Sequence, residues 1–205
     1  MITKTYLSTA ALSLVMLAAL CAQPARADEE ADQGRVLAYT CMGCHGIEGY
    51  RNAYPSYRVP RLGGQKSAYL KAALVAYRDG SRPHPTMQAQ GGSLSDADID
   101  NLAAWFESLG SASDDVDADD VAGFAPAAVC VTCHGVTGAG VAPQPPVLSG
   151  QHQDYLVHAL QQYKDGKRPG NVMASFAAGL SAGDIEKIAA FYASQDGLFT
   201  PDKDQ

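Results

Sequence analysis

Two pentapeptides hold nearly all the cysteine in this 205-residue chain: Cys41-Met42-Gly43-Cys44-His45 and Cys130-Val131-Thr132-Cys133-His134, 89 positions apart. The fifth cysteine, Cys21, lies in the apolar N-terminal stretch. Two thiols three positions apart can each form a thioether with one vinyl group of a haem, and the adjacent histidine reaches the iron from the same face. Three other chemistries use cysteine pairs. A thioredoxin-like redox pair needs a strand–helix framework that this sequence does not show. Structural zinc needs a fourth ligand per site, or both motifs pooled into one. Two disulfides suit an exported chain but leave the repeated histidines unexplained. The motifs therefore point to two covalently bound haem c groups, held by Cys41, Cys44, Cys130 and Cys133 with His45 and His134 on the irons.

The opposite axial position follows from the methionines. Beyond the N-terminal stretch there are three: Met42, Met87 and Met173. Met42 lies between the cysteines of its own motif and is tied to the histidine side of the ring. Met87 and Met173 each follow an Arg-Pro pair, 42 and 39 residues after the motif histidine. A lone methionine is commonly core filler, but two in equivalent positions of haem-sized units read as axial ligands. His84 is the rival to Met87, although Gly170 stands at the matching place in the second unit. His152 and His158 read as residues of a helix face or of a solvated surface.

The elements that position these groups are written twice. Residues 62–106 align without gaps on residues 148–192, with 19 identities in 45 positions. The shared residues include Gly64/Gly150, Gln65/Gln151, Tyr69/Tyr155, Tyr77/Tyr163, Arg82/Arg168 and Met87/Met173. The unit of roughly 85 residues is too long for a solenoid repeat. A first helix is expected over Ala31–Tyr39. A middle helix carries Tyr69, Leu70, Ala73, Leu74 and Tyr77, matched by Tyr155, Leu156, Ala159, Leu160 and Tyr163 at helical spacing. A last helix begins at Ser95–Asp98 and at Ser181–Asp184, both resembling capping boxes. No alternating strand pattern appears. Three short helices in such a unit bury little, so a haem is expected to complete each core.

Residues 1–27 read as a secretory leader: a positive start, an apolar run from Leu7 to Leu20, and small residues at Ala25 and Ala27. Cleavage is expected after Ala27, because the run is short for a membrane anchor. Without the leader the chain has 13 basic and 22 acidic side chains, a formal charge of −9. That charge argues against nucleic-acid binding. The expected organisation is residues 28–110 as one domain, an acidic linker over 111–120, and residues 121–205 as a second domain.

The sequence resembles the di-haem cytochrome c4 family over essentially the whole mature chain. The resemblance rests on "CMGCHG…PRLGGQ…YL…Y.DG.RP…M…LS..DI..LAAWF" and its second copy "CVTCHG…PVLSGQ…YL…Y.DG.RP…M…LS..DI..IAAFY". It implies an all-α fold of two tandem class-I cytochrome c-like domains related by pseudo-two-fold symmetry, with haem propionates facing across the interface. Carried over, Pro60 and Pro146 accept hydrogen bonds from His45 and His134, and Gly34 and Gly123 let the first and last helices cross closely. Tyr69, Tyr77, Tyr155, Tyr163, Arg82 and Arg168 either bind propionates or pack the domain interface. The first loop is longer and richer in tyrosine than the second, and Pro126 shortens the second unit's first helix. The resemblance also implies a periplasmic electron carrier, not an enzyme. Its expected donor is a quinol-oxidising complex or dehydrogenase and its acceptor a terminal oxidase, with loose membrane association possible. The alternatives are a cytochrome subunit of a dehydrogenase and a di-haem enzyme of peroxidase or thiosulfate-oxidising type.

Overall fold

The computed structural model describes residues 29–110, 112, 127–141, 143–168 and 172–202. The leader over 1–27, the linker over 111–120 apart from Ala112, and Gly123, Pro126 and Gly170 lie outside the described residues. The described residues form helices and loops, with two isolated backbone bridges (Arg51 with Arg58 and Gly63 with Phe199) and no strand.

In the first unit α1 covers residues 29–37 and α2 Tyr39–His45. The first helix thus ends two residues before the expected Tyr39, and α2 follows it directly. Ala38 donates to Gly34 at 2.8 Å and accepts from Met42 at 3.0 Å, so helical bonding runs through the bend into the motif. Burial of Ala38 and Met42 in the first core holds that continuation in place. α3 (Ser67–Arg78) packs against α4 (Pro85–Gly92) and α5 (Asp96–Ser108). α1 crosses α5 at Gly34, where a Cβ would stand 2.0 Å from the Asn101 carbonyl oxygen. Only a residue without a side chain permits that approach.

The second unit repeats the plan with α6 (Val131–His134), α7 (Gln153–Lys164), α8 (Val172–Ala178) and α9 (Ala182–Ala193). α7 packs on α8 and α9, as α3 does on α4 and α5. α5 and α9 start at true capping boxes. Asp98 and Asp184 return the bonds of Ser95 and Ser181, meeting the orphan N–H groups of the first turn. The count of three helices per unit is corrected by α4 and α8, the short helices that carry Met87 and Met173. Pro85 at the first turn and the His84 cap set α4, whereas "PTMQAQGG" has no apolar stripe to reveal it.

Each unit has its own core. In the first, Leu70, Leu102, Ala103, Trp105 and Phe106 close around Ala38 and Met42; in the second, Leu156, Ile188, Ala189 and Tyr192 close around Ala127. Cys41 packs against the first and Cys130 against the second.

The units meet along the loops that follow the motifs. Asp154 at the start of α7 accepts from the Arg58 backbone and guanidinium at 3.1–3.2 Å and pairs with Arg51 at 3.0 Å. Tyr57 stacks on His158 at 4.1 Å between ring centres. The chain beyond α9 crosses back to the first unit, where Phe199 pairs with Gly63 and the Thr200 hydroxyl bonds Glu48.

Candidate haem sites

The motif histidines are held alike. His45 Nδ1 lies 2.8 Å from the Pro60 carbonyl oxygen, and His134 Nδ1 lies 3.1 Å from that of Pro146. A carbonyl can only accept, so each Nδ1 carries the proton and each Nε2 keeps its lone pair for a metal. Burial holds both imidazoles below the usual histidine range, against the opposing pull of the proline carbonyls. They are therefore neutral at pH 7, the form that ligates. No disulfide joins the four motif cysteines, and burial raises the Cys41 and Cys130 thiols.

Met87 lies in the first turn of α4 and Met173 in that of α8, both half-buried. His84 is occupied otherwise: its Nδ1 accepts from the Met87 N–H at 3.2 Å and caps α4, with its ring edge-on to Tyr77.

Arg82 and Arg168 are 8% and 7% exposed, yet neither forms an ion pair with a described carboxylate. Arg82 donates across the interface to the Tyr155 hydroxyl at 2.8 Å and more weakly to Tyr69 at 3.5 Å, and it lies 4.5 Å over the Tyr77 ring. Arg168 lies 5.0 Å over Tyr163 and donates to Gln162. Burial pushes the Tyr69 phenol up to about 12. Burial also raises Tyr155, but Arg82 and Arg168 outweigh it and bring that phenol down to about 8. Two buried cations without a carboxylate are costly unless an anion joins them. Arg82 Nε is buried with no partner. An acidic cofactor edge at the interface meets that need, so this set of residues fits haem and its propionates.

One expectation needs correction. His152 is neither on a helix face nor solvated: it precedes α7 as its N-cap and is 4% exposed against the first unit. His158 takes the helix-face alternative, on α7 and covered by the Tyr57 stack. Burial, then Arg61 and Arg58, pull His152 down to about 4; burial, then Arg168, does the same to His158. The cover comes from the other unit, which local pattern does not register. Gln65, Gln151 and Asp154 also received no role from sequence. The first two were visible as an identical pair in the repeat, whereas Asp154 faces Ala68 there and left no signal.

A family model described as "Cytochrome C oxidase, cbb3-type, subunit III" matches residues 29–106, and one described as "Cytochrome c" matches residues 118–195. The chain is 32% identical to the cytochrome c4 of Pseudomonas aeruginosa, covering 82% of this chain and 89% of that protein. It belongs to the di-haem cytochrome c4 family. A further relative is the thiosulfate dehydrogenase electron acceptor of Stutzerimonas stutzeri, 30% identical over 77% of this chain and 79% of that one. The crystal structure of reduced recombinant cytochrome c4 from Pseudomonas stutzeri superposes with a TM-score of 0.65, at 28% identity, over 81% of this chain and 98% of that chain. As a cytochrome c4-type protein, the chain carries two covalently attached haem c groups and transfers electrons between redox partners.

Proposed function

We propose that this is a periplasmic, non-enzymatic carrier of single electrons toward a terminal oxidase. Cys41 and Cys44 hold one haem, with His45 and Met87 on its iron. Cys130 and Cys133 hold the other, with His134 and Met173. The haems supply reversible one-electron chemistry at iron. The protein fixes each imidazole through a proline carbonyl, presents a methionine from the short helix of the same unit, and neutralises anionic edges with Arg82 and Arg168. The observation that carries the reading is the equivalence of the two histidine–proline pairs at 2.8 and 3.1 Å. With Met87 and Met173 as the second ligands, each iron would be held by two side chains and would offer no position to a substrate. Export of residues 28–205 after removal of a leader, and two domains joined by the acidic linker, complete the proposal. No described helix is long and apolar enough to cross a membrane.

The test is carbon monoxide added to the reduced, haem-loaded protein. An unmoved Soret band is the expected result, and Met87→Ala opens one iron so that about half the haem binds the gas. A shift in the unsubstituted protein would instead indicate an open site and return the enzyme reading. A second reading, acceptor to a dehydrogenase, is favoured by the thiosulfate dehydrogenase electron acceptor among the relatives. Rapid reduction by a thiosulfate dehydrogenase, with slow oxidation by a terminal oxidase, would support it over the first.

A further inference from the structure

Gln65 and Gln151 are 3% and 4% exposed. Each makes a two-way bond to the backbone of the other unit. Gln151 Nε2 donates to the Arg61 carbonyl at 3.0 Å and its Oε1 accepts from the Arg61 N–H at 2.9 Å. Gln65 does the same to Val147, at 3.0 and 2.9 Å. The Arg61 N–H belongs to the same peptide unit as the Pro60 carbonyl, and the Val147 N–H to the same unit as the Pro146 carbonyl. Those are the carbonyls that receive His45 and His134.

A peptide unit is planar and rigid, with N–H and C=O pointing oppositely. Holding its N–H therefore aims its carbonyl, and a bond accepted at one end strengthens the bond made at the other. We propose that Gln65 and Gln151 are crossed positioning residues, each aiming and polarising the peptide that orients the iron-binding histidine of the opposite unit. The relay runs from Gln151 Oε1 through the Pro60–Arg61 peptide to His45, and from Gln65 Oε1 through the Pro146–Val147 peptide to His134. A stronger acceptor on Nδ1–H makes the imidazole a better donor to iron and favours the oxidised metal. Each glutamine thus holds down the reduction potential of the haem in the other unit. The proposal rests on His45 and His134 being the iron ligands.

The test uses the haem-loaded full chain, in redox titrations followed by paramagnetic NMR so that each haem is read separately. The exchangeable Nδ1–H resonances of His45 and His134 are assigned with Met87→His and Met173→His, each of which perturbs its own haem. Gln151→Met is expected to raise the potential of the first haem only and to make the His45 Nδ1–H exchange with deuterium about tenfold faster. Gln65→Met is expected to do the same to the second haem and His134. Gln151→Glu and Gln65→Glu keep an acceptor oxygen, disturb packing least, and are expected not to raise either potential. Effects on the haem of the substituted unit, equal effects on both, or no effect would overturn the crossed relay. Absence of the two exchangeable histidine resonances from the unsubstituted protein would overturn the ligand assignment instead, and the relay with it.

Discussion

At the scale of single residues, the interface histidines tie stability to pH. His152 and His158 titrate at about 4 in the folded protein and near 6.5 when the chain is unfolded. Above pH 6.5 neither state binds the proton, and both residues contribute fully. As pH falls from 6.5 toward 4 the unfolded chain is protonated first, so stability is lost over that window. The groups facing His152 are Arg58, Arg61, Glu48 and Asp154; those facing His158 are Arg82, Arg168, Lys167 and His84. Thermal midpoints of the haem-loaded protein should fall from pH 6.5 to 4, and His152→Gln or His158→Gln should flatten the fall. Sequence reading gives these histidines a helix-face or a solvated place, since nothing in their own segment reveals a cover. What buries them, Tyr57 and the Arg58–Arg61 segment, lies about a hundred positions away.

At the scale of elements, the closest approach at any described glycine is where α1 crosses α5. Gly34→Ala forces a Cβ to within 2.0 Å of the Asn101 carbonyl oxygen and 2.7 Å of Trp105 Cβ, both on a helix anchored by a capping box. Separating the helices should cost about 1–3 kcal/mol in denaturant unfolding. Gly43→Ala, with nothing within 4 Å, should cost nothing and serves as the control. Much of this level was legible in sequence. The apolar spacing of Leu70, Ala73, Leu74 and Tyr77 marks α3, Ser95 and Asp98 mark the start of α5, and the paired motifs mark both haem attachments. α4 and α8 were not legible, because PTMQAQGG, with its glycines and glutamines, shows no apolar period and VMASFAA is too short, at seven residues, to establish one. The helical form of the motif itself, α2, was not legible either, since it depends on burial of Ala38 and Met42 in the first core rather than on local propensity.

At the scale of the whole molecule, Asp154 is the main asymmetric tie between units. It joins Arg51 and Arg58 of the long first loop to the start of α7, with its side chain one quarter exposed. Asp154→Ala should lower stability by about 1–2 kcal/mol, with a smaller loss in high salt. Urea unfolding at two ionic strengths measures both. The glutamine contacts have a different character. Gln65 grips Val147 and Gln151 grips Arg61, and each pair of partners is related by the same shift of 86 positions. Residue i of one copy touching residue j of the other, and j touching i, is the rule of an isologous interface between identical subunits. The joined chain thus carries within itself the handshake of a twofold homodimer. Fusion makes the encounter intramolecular, at an effective concentration set by the connection rather than by expression. It also releases the copies from identity: Ala68 is answered by Asp154, and His84 by Gly170. A homodimer must place every change on both sides of its axis, whereas this chain can alter one haem's surroundings and leave the other's alone.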